Sequence, residues 1–140
     1  MGGLLGIPEW LAVTLWIVIA LTMLCIWGMA HIRKAHRRLL ARRPNPTEAL
    51  FLSLMAEDVH PQTAKFLWDK ALSYVKPTLA PHPEDHLSQD LKIDDDDWGM
   101  DWPRDFAELK GFHESNFPDW PEGWPTTVRN LGRWLDMGPA

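Results

Sequence analysis

Trp10 to Ile32 reads WLAVTLWIVIALTMLCIWGMAHI, a run without formal charge when His31 is neutral, bounded by Glu9 and Arg33. As a helix it extends about 35 Å, enough to cross a hydrocarbon core of roughly 30 Å. Pro8 suits a first helical position, and Trp10 and Trp27 stand near the two ends, where indoles favour the membrane interface. The competing reading is a cleaved signal peptide, whose apolar region is shorter and follows its basic residues. Here the order is reversed: MGGLLGIPE holds no Lys or Arg, and Arg33, Lys34, Arg37, Arg38, Arg42 and Arg43 come after the run. The positive-inside rule then predicts an uncleaved single-pass anchor in the inner (cytoplasmic) membrane, N-terminus outside and C-terminal domain in the cytoplasm. Gly6 stands where N-myristoylation needs Ser or Thr, and Cys25 reads as a small hydrophobe within the span.

Outward from the span, residues 1–9 form an extracytoplasmic tip, 10–30 the transmembrane helix, 31–45 a basic stem, and 46–140 a cytoplasmic helical domain. The helix is expected to continue through the stem to Pro44. Its six basic residues are candidates for anionic headgroups of the lipid bilayer, at about 1 kcal/mol each near the surface; fixing topology is a compatible alternative. Met1–Arg43 holds six basic residues and one acid, and Pro44–Ala140 eight basic residues and eighteen acids, within a net charge of -5. So acidic a domain argues against a nucleic-acid partner. A chain of 140 residues allows one compact domain with an accessory element, and its one cysteine excludes an intramolecular disulfide and a cysteine-rich zinc site.

Within the domain, Asn45 with Pro46 predicts the start of a short helix running to about Ala56, with Leu50, Phe51, Leu54 and Met55 on one face. A second, from about Gln62 to Val75, carries Ala64, Leu67, Trp68, Ala71, Leu72 and Val75 at helical spacing. Trp102, Phe106 and Leu109 mark a third, and Val128, Leu131, Trp134 and Leu135 a fourth. No segment alternates like a strand, so the fold class is all-α. The core should include Leu67, Trp68, Phe106, Val128, Leu131 and Leu135, and a fragment from about Pro46 should fold alone. The dipeptides Trp102-Pro103, Trp120-Pro121 and Trp124-Pro125 lie in or beside a proline-rich connection. Their indoles either add aromatic mass to a small core or line a ligand groove.

The segment His86-Leu87-Ser88-Gln89-Asp90-Leu91-Lys92-Ile93-Asp94-Asp95-Asp96-Asp97, then Phe106-Ala107-Glu108-Leu109, then Thr126-Thr127-Val128-Arg129-Asn130-Leu131, resembles the acyl carrier proteins. More closely it resembles a bacterial acyl-carrier-protein-like family of uncharacterised function, over about residues 62–137. The resemblance implies a small helical bundle and an acidic recognition helix. The acyl carrier proteins bear phosphopantetheine on a serine directly after the second Asp of Asp-Leu-x-x-Asp. Asp95 occupies that position here, and a carboxylate cannot form the phosphodiester. Ser88, upstream, does not match the motif position. No cofactor is therefore expected. Pro103 also departs from the family, which suggests a helix starting later, with Asp101 as its cap.

The remaining constellations are weaker. Asp94–Asp97 with Asp101, Asp105 and Glu108 could attract a divalent cation, but the spacing misses the calcium-loop pattern. A solvated helix start or a docking surface for a basic protein partner, formed by Asp94, Asp95, Asp96, Asp97, Asp101 and Asp105, are the other readings. One candidate basic surface is the chain's own stem, Arg33–Arg43. His82-Pro83-Glu84-Asp85-His86 lacks a third clear metal ligand, and His113, Ser115 and Asp119 lack a nucleophile elbow. No metal or catalytic residue is expected, and there is no phosphate loop or dinucleotide fingerprint. The function expected is a membrane-tethered, non-catalytic interaction module. The alternative is a genuine acyl carrier or accessory subunit of a membrane-bound lipid or acyl-transfer enzyme.

Overall fold

The computed structural model describes Gly6–Pro139. Residues 1–5 of the expected tip and residue 140 of the expected domain lie outside the described residues. Among the described residues all regular structure is helical: α1 Glu9–Arg42, α2 Glu48–Met55, α3 Pro61–Val75, α4 Trp102–Lys110 and α5 Val128–Leu135. A π-helical turn, Asp97–Asp101, precedes α4, and a short 3-10 turn, Glu114–Asn116, follows it. The chain divides into two compact units, Met1–Ala35 and His36–Ala140, with the division falling in the sequence of α1.

α1 is long and apolar enough to cross a membrane. Its large side chains, Trp10, Trp16, Leu24 and Trp27 among them, are exposed. Thr14 and Thr22 donate their hydroxyls to the carbonyls of Trp10 and Val18, at 2.8 and 2.7 Å. Both hydroxyls are thus satisfied within the helix.

The second unit begins at His36, ten residues before the expected boundary. Leu39 is buried in its core and His36 lies beside the Leu91 carbonyl at 3.4 Å. Arg43 donates from Nε to Asp85 Oδ1 at 2.9 Å, from a second nitrogen to Asp85 Oδ2, and to the Ala80 carbonyl at 3.0 Å. The end of the stem is therefore part of the domain's packing.

Thr47 caps α2 by accepting from Leu50 N–H at 3.2 Å. Asn45 is not the cap: it accepts from Ala80 N–H at 2.9 Å and donates to the Thr78 carbonyl at 3.2 Å, pinning the following loop. α3 starts at Pro61 behind His60 and buries Thr63, Ala64, Leu67, Trp68, Ala71 and Val75. α5, capped by Thr127, buries Val128, Leu131 and Leu135 against α3. All six expected core residues are buried. Leu50 and Leu109 depart from expectation, standing 49% and 68% exposed. The core face of α4 is Trp102, Pro103, Phe106 and Ala107 instead.

The proline-rich connection covers α5 with rings. Phe117 stacks on Trp134 at 4.7 Å, Trp120 lies 5.7 Å from Trp134, and Arg133 sits over Trp124 at 4.1 Å. Trp134 donates its indole N–H to the Pro118 carbonyl at 2.9 Å, and Trp120 donates to the Trp124 carbonyl at 3.1 Å. Here the tryptophans supply packing area that a small domain needs.

Candidate functional site

The acidic segment follows a loop held down by three buried side chains, Leu87, Leu91 and Ile93. Its backbone turns at Asp94, whose carbonyl accepts from Asp97 N–H at 3.0 Å and Trp98 N–H at 3.2 Å. Asp94 Oδ1 also accepts from Asp96 N–H at 3.2 Å. The turn runs through the π-helical Asp97–Asp101 into α4, so Asp101 does not cap that helix: its backbone is already helical and its side chain makes no cap bond. The expected late start thus gives way to a continuous entry, and Pro103 is tolerated because it falls in the first turn of α4.

The six carboxylates assigned to docking divide into two sets. Asp101 pairs with Arg104 at 2.9 Å and Asp105 with Lys70 at 2.6 Å, so both are neutralised within the domain. Asp94, Asp95 and Asp96 are exposed and Asp97 is half-buried; among the described residues none of the four forms an ion pair. Asp95 accepts from the Ser88 hydroxyl and, at 3.1 Å, from the Trp98 indole N–H, which also donates to Ser88 Oγ at 2.9 Å. Trp98 is in turn edge-on to Trp120, 6.2 Å away. The free carboxylates thus sit on a braced turn.

The basic stem divides too. Arg33, Lys34, Arg37 and Arg38 are exposed and form no ion pair among the described residues. Arg42 pairs with Asp90 at 3.2 Å and remains 67% exposed. Arg43, only 14% exposed, is committed to Asp85, which removes it from the headgroup set. The acids that meet the stem are therefore Asp85 and Asp90 of the preceding loop, not Asp94–Asp97.

The weaker constellations serve backbone geometry. His113 Nδ1 accepts from Ser115 N–H at 3.1 Å and lies 2.8 Å from Ser115 Oγ, capping the 3-10 turn. His82 Nδ1 accepts from Glu84 N–H at 3.1 Å; burial lowers the His82 pKa from its ordinary 6.5, against the pull of Asp85. Arg129 donates to Glu84 at 2.6 Å, Asp58 at 2.7 Å and the Leu54 carbonyl at 3.0 Å. Burial alone would lower its pKa, and the bonds to Glu84 and Asp58 raise it. Among the described residues no group of three or more His, Cys, Asp or Glu gathers to hold a metal ion.

Sequence reasoning missed two features. Ser88 meets Asp95 because the loop folds back, and Leu109 faces away from the core beside Lys110. The chain matches no protein-family model, no curated protein and no solved structure.

Proposed function

We propose that the protein is a membrane-tethered, non-catalytic interaction module whose helical domain docks through Asp94, Asp95, Asp96 and Asp97 onto a basic protein partner. The observation that carries this reading is the contrast within the acidic set: Asp101 and Asp105 have cations in the domain, and the four consecutive carboxylates have none among the described residues. Charges left uncompensated on a braced surface act chiefly on association rate and specificity, screened over about 10 Å at 0.1 M salt. The apolar helix serves as the inner-membrane anchor of this module, and the asymmetry of Arg33, Lys34, Arg37 and Arg38 around it supports a cytoplasmic domain. Those four residues contact anionic headgroups.

The test replaces Asp94–Asp97 with Asn and compares partners recovered from solubilised membranes across a salt series, with helicity checked by circular dichroism. Loss of one recovered partner, together with its salt dependence, is expected. Unchanged recovery refutes the docking role. An alkaline phosphatase fusion to the C-terminus should be inactive.

One observation favours a second reading, an acyl carrier with a displaced serine. The Ser88 hydroxyl lies against Asp95, the residue at the position of the carriers' modified serine. Modification would join Ser88 Oγ to the pantetheine phosphate of coenzyme A, release adenosine 3′,5′-bisphosphate and pass the hydroxyl proton to a base of the transferase. Intact mass after incubation with coenzyme A and a phosphopantetheinyl transferase decides it. An unchanged mass removes this reading, and a gain abolished by Ser88→Ala establishes it.

A further inference from the structure

α3 and α4 run antiparallel, joined by side chains: Lys110 Nζ donates to Gln62 Oε1 at 2.6 Å, Phe106 meets Phe66 edge-on at 5.2 Å, and Trp102 lies 5.6 Å from Tyr74. Along this seam a groove of about 730 Å³ opens, lined by Pro61, Phe66 and Leu109 among its apolar residues and by Lys65, Lys70 and Lys110 among its charged ones. Its volume falls in the range of small-molecule sites, which are mostly apolar with a few placed polar groups. None of Asp94–Asp97 lines it.

Two features define what the groove can hold. The first is apolar: Phe66 is half-buried and Leu109 stands 68% exposed, the most exposed large hydrophobic side chain of the described domain. The second is charge. Pro44–Ala140 carries eighteen acids against eight basic residues, yet this groove gathers three lysines beside one carboxylate, Asp69. Lys65 is engaged by Glu48 at 2.7 Å and Asp69 at 3.0 Å, and Lys70 by Asp105 at 2.6 Å. Lys110 forms no ion pair among the described residues: its ammonium bonds the neutral Gln62 amide and lies 5.7 Å from the Phe106 ring centre. One uncompensated ammonium beside an apolar floor matches one negative charge on an apolar chain. A phosphate monoester brings nearly two charges, and Asp69 opposes the excess.

We propose that this groove binds a long-chain fatty-acid anion, its carboxylate on Lys110 and its chain along Phe66 and Leu109. The site lies apart from the docking carboxylates and does not depend on the docking reading.

The test uses the full chain in nanodiscs of zwitterionic lipid with a palmitate analogue carrying a diazirine in its chain, and maps the label by mass spectrometry. Label on α1, from ligand dissolved in the bilayer, serves as the internal control. Label on Phe66 and Leu109, competed by plain palmitate, is expected. It should fall about tenfold in Lys110→Gln and with the matching long-chain alcohol, the effect of losing one charge-assisted hydrogen bond. Leu109→Glu should remove it, and circular dichroism checks that both surface variants stay folded. Label confined to α1 overturns the proposal, as does groove labelling equal for acid, alcohol and Lys110→Gln. A synthetic acidic amphipathic peptide bearing the same photogroup forms the last arm, and labelling of the groove by that peptide alone makes it a peptide site and overturns the proposal too.

Discussion

Gly132 lies in α5 where that helix packs most closely on its neighbours. A Cβ there would stand 2.9 Å from Val59 Cγ1, 3.0 Å from Met55 Cε and 3.1 Å from Leu67 Cδ1. Carbon atoms prefer separations of about 3.5–4.0 Å, so three overlaps arise at once. Met55 Cε ends a flexible chain and can move. Val59 cannot do so cheaply: its side chain is short and β-branched, and its N–H is bound to the Met55 carbonyl at 2.9 Å. Overpacking a tight core costs about 1–3 kcal/mol, and the helix propensity gained from Gly to Ala returns about 1 kcal/mol. Gly132→Ala is therefore expected to destabilise the domain by about 1 kcal/mol, the middle of a range of about 0–2 kcal/mol, measured from the urea midpoint of tryptophan fluorescence. Gly99→Ala is the control, since a Cβ there meets nothing within 4 Å. If Gly132→Ala is instead more stable than the wild type by the propensity gain of about 1 kcal/mol, the close contact between α5 and the Val59 turn is wrong.

Asp136 accepts from His60 N–H at 2.7 Å and Thr63 Oγ1 at 2.5 Å, so its carboxylate tethers the start of α3 to the end of α5. Asp136→Ala should cost about 0.5–2 kcal/mol by urea unfolding, in the range of a lost helix cap. His82 has its pKa lowered by burial in the folded state, so the unfolded chain takes up that proton first as pH falls. Its contribution is complete above the ordinary value of 6.5 and is lost below it; His82→Gln should flatten the fall in thermal midpoint on acidification through that value.

The apolar helix and all four domain helices were legible because local pattern decides them. A long uncharged apolar run leaves few alternatives to a spanning helix, and Leu67, Ala71 and Val75 repeat at the helical period whatever lies elsewhere in the chain. Position-specific departures came from long-range contacts. Asn45 has the side chain of a cap, but Thr78 and Ala80 claim it, and Thr47 takes its place. The periodicity that put Leu109 with Phe106 does not reveal that Pro103 and Ala107 complete the buried face. In the candidate site, the run of aspartates was legible, whereas which of them have cations was not. Asp105 meets Lys70 across two helices, a pairing set by how those helices pack.

The same long-range effect changes where the folding unit must begin. A fragment starting at Pro46 lacks Leu39, a core side chain 4% exposed, whose burial is worth about 1.5–3 kcal/mol. It also lacks Arg43, leaving Asp85, 4% exposed at its side chain, without its cation. Removing one partner of a buried pair costs about 3–5 kcal/mol. Together these losses approach the whole stability of an ordinary small domain, about 5–15 kcal/mol. A fragment from His36 should therefore unfold cooperatively, and one from Pro46 should be marginal, with broadened amide signals and a much lower urea midpoint. Asp85→Asn in the shorter fragment separates the two losses. It removes the unpaired charge while keeping a carbonyl for His82 N–H, which Asp85 Oδ2 holds at 2.8 Å. Partial recovery of the midpoint is the expected result. Equal midpoints for the two fragments would show that Arg43 and Leu39 add nothing, and that the stem is an attachment to the domain, not the first element of its fold.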